Sequence, residues 1–500
     1  MGKNLARKLK NISFNKSNIF TIIILFPLVF FILNNFSINK MNIDKYDFTI
    51  FIFTVKQALY STMLAFLLSI LPSIYISKNN NILSNLLDST FVIPFYFPAS
   101  TAALIFNIIT LNIYKYTGID LFSGILMIVI AHAFYNSPIL VKYISEGLKK
   151  IPQEIYELIQ LEDISTFRKY RELFNSISSD IFRALFLVFI FSFTSLSIII
   201  AIGNGKISTL ELEIVKTIET FDFSNTIKFI IIQATIFAII HKLISKNESI
   251  KFDVSKTVRK FKNKNNKLEN LIAIFYLIFE YFPILMLFFI SFKGFKKLFL
   301  NFNTLNTEFQ VIKAFGNSLT ISIVTAIILI VLGYILVKLG YEKVAMTPIY
   351  ISTAFWAISL IYLQVIYHIP ELIIAIFGFV VINLPITYNF LSPNIKNFNN
   401  EIIESAKLDG ASNIKIFFSI ELPILKYVFL SVFFQIFAII FGEFTFSYII
   451  NSSQFPIISV IIFKMLGKRY ILESSAISTL LLILIFLFYF ISKQLNSKDD

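Results

Sequence analysis

The chain has 500 residues, of which 56% are hydrophobic and only 15% charged, with 59 phenylalanines and a formal net charge of +14. A soluble protein needs polar cover for its surface, so this composition excludes the two or three water-soluble domains that the length alone would suggest. Cysteine is absent, which excludes disulfides and thiolate metal sites.

Apolar runs of bilayer length recur along the chain and predict an all-α, polytopic membrane protein with about twelve transmembrane helices. A basic segment, 1–17, carries Lys3, Arg7, Lys8, Lys10 and Lys16. Six spans follow near 18–35, 57–76, 91–111, 123–142, 181–202 and 226–241, within a first repeat, 18–241. No small-residue cleavage site follows the first apolar run, so it reads as a retained span. A Lys- and Asn-rich stretch, 242–270, holds nine basic residues and reads as a solvated tether. A second repeat, 271–492, has spans near 271–292, 316–338, 346–367, 371–391, 427–449 and 473–492, and a tail, 493–500, ends the chain. Basic flanks collect on the cytoplasmic side. That rule places both termini, the linker and the two polar loops 143–180 and 392–426 in the cytoplasm of an inner (plasma) membrane protein. The excess charge therefore reads as topology, with no nucleic-acid partner. Lys293, Lys296, Lys297 and Lys313 fall in a loop assigned to the outside and pull the other way.

Two stretches carry one pattern. Asn136-x-Pro138 recurs as Asn383-x-Pro385 (383 − 136 = 247), and Glu154 and Glu157 recur at the same offset as Glu401 and Glu404. Constant spacing across a Pro-marked helix and a charged loop indicates duplication, and six spans per half make the copies parallel. In the second loop, Glu401 to Leu408 favours helix, with Glu404 and Lys407 on one face. Asp409-Gly410 then breaks it, because glycine accepts the left-handed conformation that ends helices. Ser412 is a fitting cap for a second short helix, and Pro423 suits the first turn of the next span. The expected product is a helix-turn-helix elbow below the membrane, joined to a transmembrane helix and able to take a push from a partner.

Glu404-Ser405-Ala406, Asp409-Gly410-Ala411 and Ile420-x-Leu422-Pro423 resemble the EAA loop of permease subunits of binding-protein-dependent ABC importers. The resemblance implies the type I permease fold in two parallel repeats. It implies that Glu401, Glu404, Ala406, Asp409, Gly410, Ala411, Ile420, Leu422 and Pro423 form the loop that couples to an ABC ATPase dimer on the cytoplasmic side. A soluble substrate-binding protein on the outer face is the second implied partner, and the lipid bilayer surrounds the chain. The first copy departs from the pattern: Asp163 stands where the second has Gly410, and Asn175-Ser176 replace Leu422-Pro423, while Leu161 and Leu173 remain. Only Glu154, Glu157 and Asp163 carry over there. Two fused permease units resemble the importers of thiamine or ferric iron. Gly124-Ile125-Leu126, the run Ala131 to Pro138, Ile151-Pro152, Gly442-Glu443-Phe444, Phe455-Pro456 and Leu466 to Tyr470 are similar in wording to thiamine permeases.

No phosphate-binding loop is present, since Gly203-Asn204-Gly205-Lys206 is followed by Ile207 and Gly467-Lys468 by Arg469. ATP is therefore expected on a partner subunit, with no cofactor or catalytic residue in this chain and no metal site. Ionisable groups inside spans are costly and mark pathways. Glu280 and Glu443 are the carboxylates placed to meet a cationic substrate, and Tyr281 and Trp356 the rings placed to stack on one. The plain alternative has both glutamates near helix ends, reaching the interface. His132 reads as a hydrogen-bonded packing histidine. An ion-coupled secondary transporter is the rival reading, and a polytopic membrane enzyme would need an intramembrane cluster of His, Asp or Glu that the sequence lacks.

Overall fold

An apolar phase offers no partner to a backbone N–H or C=O, so a chain of this composition has to satisfy them locally, as helix. The structure, a computed structural model, describes residues 16–37, 43–92, 97–119, 125–152, 165–203, 205, 207–245, 267–396, 398, 400–452 and 454–496. These are helical with no strand among them. The first-copy residues Glu154, Glu157 and Asp163, most of the basic N-terminal segment and most of the linker lie outside the described residues.

In the amino half the helices are α1 (Lys16–Asn35), α2 (Lys45–Lys78), α3 (Ile82–Ser89), α4 (Ala99–Thr117), α5 (Ile125–Lys150), α6 (Thr166–Ser176), α7 (Ser178–Phe193), α8 (Ser197–Gly203), α9 (Leu210–Glu219) and α10 (Phe223–Ser245). The carboxyl half holds α11 (Lys267–Leu300), α12 (Phe302–Phe309), α13 (Val311–Lys338), α14 (Glu342–Met346), α15 (Thr353–Tyr367), α16 (Glu371–Lys396), α17 (Asn400–Leu408) and α18 (Asn413–Ile416). A π-helical turn (Phe417–Glu421) leads into α19 (Leu422–Gly442), then α20 (Thr445–Ile450), α21 (Ile458–Gly467) and α22 (Ile471–Asn496). Among the described residues seven helices are long and apolar enough to cross a membrane, or nine if each of two bent pairs is one span.

Where it is described, each expected span falls mainly on helix, but several are not the straight rods that their apolar runs predict. The run 91–111 is interrupted, with α4 starting only after Pro98, which stands at its N-cap. The run 181–202 breaks between Phe193 and Ser197, and 427–449 breaks between Gly442 and Thr445. The run 346–367 is bent, and Ser352 restarts the helix by accepting from the Phe355 N–H at 3.2 Å. Lys293, Lys296 and Lys297 belong to no loop: α11 continues through them, exposed, to Leu300. α2 begins twelve residues before the expected 57, because Asp44 and Asp47 form a reciprocal capping box.

The order of elements recurs. After its long helix each half has a break, a short helix, a second short helix and a final long one. Leu210 and Ile458 start the second short helices (458 − 210 = 248), and Phe223 and Ile471 start the final ones at the same offset.

Packing divides the chain into two compact units that cut across the halves: one of Met1–Ile38, Asn303–Ile461 and Leu481–Asp500, the other of Asn39–Phe302 and Ile462–Leu480. The first helix of each half thus belongs to the unit built mainly from the other half. In the carboxyl-half unit α1 packs on α15, with Phe31 and Tyr362 rings 5.4 Å apart, and the core runs through Leu336, Phe379, Leu391 and Val428. In the amino-half unit α11 packs on α2 through Tyr75, Ala273 and Tyr276. There, α11 also meets the start of α22 so closely that a Cβ on Gly294 would lie 2.1 Å from the Leu472 carbonyl oxygen, beside the Ser291 hydroxyl that donates to the Ser475 carbonyl at 2.9 Å. Small residues let helices approach in this way. Gly294→Ala is expected to force the two helices apart, costing about 1–3 kcal/mol and lowering the thermal midpoint of the detergent-solubilised protein. An unchanged midpoint would show that the helices are not in contact at Gly294.

Candidate coupling surface

The polar stretch between α16 and α19 is built by local rules. α17 ends at Leu408, and the chain turns through Gly410 at φ 78°. The Gly410 N–H donates to the Lys407 carbonyl and the Ala411 N–H to the Ala406 carbonyl, each at 3.0 Å. This paired arrangement is the Schellman closure, and it needs a residue in the left-handed region at Gly410. Ser412 then caps α18, its hydroxyl accepting from the Lys415 N–H at 3.3 Å. Pro423 sits in the first turn of α19. Glu401, Glu404, Ala406, Asp409, Gly410 and Ala411 therefore come together on one elbow, with Ile420, Leu422 and Pro423 joining it to the span.

The elbow is anchored on one side and bare on the other. Ile416 is buried, and Phe417 lies against Tyr334 of α13 with ring centres 5.1 Å apart. Below it Leu425 and Val428 enter the unit's core. Facing outward, Leu408 is 88% and Ile414 72% exposed, flanked by the exposed Ile402 and Phe418, with Glu404 and Asp409 exposed beside them. Large apolar side chains exposed beside charged ones on one short elbow are a candidate interaction site. Covering one such side chain contributes roughly 1.5–3 kcal/mol.

The sequence left the position between Ile420 and Leu422 unassigned. It is Glu421, buried, with the Lys338 Nζ 2.5 Å from its Oε1. A glutamate inside an otherwise apolar Ile-x-Leu-Pro run was the available signal.

The other candidates lie elsewhere. Glu280 is in the middle of α11 and fully buried, which corrects the alternative that it reaches an interface from a helix end. The Ser137 hydroxyl donates to its Oε1 at 2.8 Å and lies 3.0 Å from the Tyr276 hydroxyl, while Oε2 has no partner among the described residues. Ser137 and Tyr276 had not been singled out. Tyr281, the next residue, points its hydroxyl to Ser89 at 2.8 Å. Trp356 belongs to the other compact unit and is 1% exposed, so its ring offers no open face. Glu443, in that same unit, spends both carboxylate oxygens on backbone: Oε1 accepts from the Phe446 N–H at 2.9 Å and Oε2 from the Ser447 N–H at 3.1 Å. His132 is buried with Nδ1 3.2 Å from the Ser61 hydroxyl.

Residues 61–246 match the model of a family described as binding-protein-dependent transport system inner membrane component. No curated protein matches the chain. The match supports a permease subunit of a binding-protein-dependent ABC transporter, and with the apolar helices it makes this a multi-pass membrane protein.

Because a Cβ on Gly410 would meet nothing within 4 Å, substitution there acts through the backbone alone. Gly410→Ala is expected to destabilise the turn by about 1–2 kcal/mol and to speed amide exchange of Gly410 and Ala411 roughly tenfold, with α19 unaffected. Equal exchange in both proteins would remove the left-handed turn from the elbow.

Proposed function

We propose that the chain is the permease subunit of an ATP-driven importer, with two permease units in one polypeptide, and that the substrate is thiamine or one of its phosphates. The observation that carries this reading is the bare apolar face of the elbow, held on a rigid helical mount at the end of a span. A surface of that kind serves a protein that comes to it from the cytoplasm. The family match over the amino half and the recurring order of elements support two units of one kind. ATP hydrolysis then belongs to a separate ATPase dimer, whose closure moves the elbows and switches the bundle between two arrangements by differential contact. A binding protein on the outer face delivers the cargo.

A ferric importer is the second reading, favoured by one observation. The carboxylate of Glu280 and the phenol of Tyr276 meet through Ser137, oxygen donors of the kind that a hard trivalent ion prefers. The burial of Trp356 takes away one ring that an organic cation would stack on.

Affinity purification from native membranes is expected to recover an ATPase with the wild-type chain and to lose it with the double variant Leu408→Asp plus Ile414→Asp, which inserts normally. Recovery of no ATPase, or thiol labelling that puts 401–423 outside the cell, overturns the permease reading. Deletion of 404–411, or Gly410→Pro, is expected to abolish ATP-dependent uptake at unchanged membrane level; normal uptake by either variant would remove the elbow from coupling. Radiolabelled thiamine and ferric iron, titrated onto the co-purifying binding protein, separate the two substrates.

A further inference from the structure

An elbow held to α13 only by the apolar Phe417–Tyr334 contact could slide when pushed. Glu421 adds a charged attachment. It is the last residue of the π-helical turn and 4% exposed. Lys338 Nζ lies 2.5 Å from its Oε1, and the Tyr334 hydroxyl donates to its Oε2. Both partners come from the last turns of α13, of which Lys338 is the final residue. The same ammonium lies 5.8 Å from the ring centres of Tyr334 and Phe398, and Phe398 stands just before α17. One cation thus holds the elbow, the end of α13 and the approach to the elbow together. π-helical turns recur at functional positions, and this one sets Glu421 against α13.

The amino half has a matching device built from other residues. Lys78, the final residue of α2, donates to the Tyr170 hydroxyl at 2.5 Å and pairs with Glu269 at 3.3 Å. Tyr170 belongs to α6, which leads into α7 as the elbow leads into α19. The repeat offset of 247 puts Tyr170 opposite Phe417 and Phe174 opposite Glu421, while the two lysines lie 260 apart (338 − 78 = 260) and share only their place at the end of a long helix, so the two contacts are alike in position on the helix and not in residue register.

We propose that Lys338–Glu421 and Lys78–Tyr170 are latches, the first tying the elbow and the second tying α6 to the end of a neighbouring long helix, so that displacement of the one is passed to the other. Lys338, Glu421, Lys78 and Tyr170 are positioning residues, and the proposal rests on the permease reading above. Apolar contact would hold the elbow as well at rest, since replacing a buried ion pair by packed apolar residues is often neutral. A directional, charge-assisted contact differs in resisting sliding and in having discrete made and broken states.

The chain has no cysteine, so two introduced thiols are its only sites for spin labels, attached before the ATPase is added. Asn413→Cys on α18 and Leu339→Cys just past α13 are both exposed positions. In the wild-type background, combined with its ATPase, the pair is expected to keep one narrow spin–spin distance with or without ATP and vanadate, because the elbow and α13 move as one body. With Lys338→Met or Glu421→Gln, the distance is expected to stay near the wild-type value without nucleotide and to shift by one helical turn, ~5 Å, when ATP and vanadate are added. Lys338→Arg and the charge swap Lys338→Glu with Glu421→Lys are expected to restore the single distance. Where Lys338→Met fails to accumulate, Glu421→Gln gives the same reading. A merely stabilising pair would instead widen the distance equally with and without nucleotide, and that result, or no change at all, overturns the latch. If the wild-type chain brings no ATPase from the membrane, the permease reading falls and the latch with it, a failure that the co-purification alone identifies.

Discussion

A bilayer leaves no backbone polar group to be paired by solvent, so every interruption of a span has to bring its own partner. The segment from the end of α19 to α21 shows how strictly this is met. The Glu443 carboxylate takes the first N–H groups of α20, and its carbonyl accepts the Ser459 hydroxyl at 2.7 Å. The Ile458 N–H goes to Ser318 at 3.0 Å, and the Pro456 carbonyl to the Asn317 amide at 2.9 Å. Ser318 and Ser459, buried in this region, are spent on the backbone of the break and need no ligand to explain them.

The elbow obeys the opposite condition. It lies at a helix end, where backbone groups can reach side chains and water, so its shape is set by a glycine turn and a serine cap rather than by packing. What packing supplies is the mount: Phe417 on Tyr334, with Leu425 and Val428 in the core below. Shape from local sequence and rigidity from tertiary contact together leave Leu408 and Ile414 bare without letting the surface collapse.

That division explains what could be read in advance. Helix existence followed from apolar runs, and the elbow followed from residues at most four apart. The breaks at 194–196 and 443–444 were hidden, because an apolar run looks alike whether straight or interrupted. α9 and α21 were missed for their shortness. Glu280 was legible as a costly carboxylate, but its partners Ser137 and Tyr276 come from another helix and from the previous turn of its own. Glu421 had no meaning until Lys338, 83 residues away, was placed beside it. Glu443 drew notice for its charge, and the backbone groups that occupy it could not be foreseen from composition.

The amino-half latch has one consequence that the carboxyl-half latch lacks. Its carboxylate, Glu269, lies in the first turn of α11, the helix that carries Glu280. The two are three helical turns apart, ~16 Å along one continuous helix, and both belong to the same compact unit. A helix shifts as a body more readily than it stretches, because each turn is held by hydrogen bonds to the next. On the proposed latch, movement at Lys78 is passed toward a buried carboxylate whose Oε2 has no partner among the described residues, in a cluster with the Ser137 and Tyr276 hydroxyls. In this half one helix thus carries both the Glu269 that pairs with Lys78 and the buried Glu280.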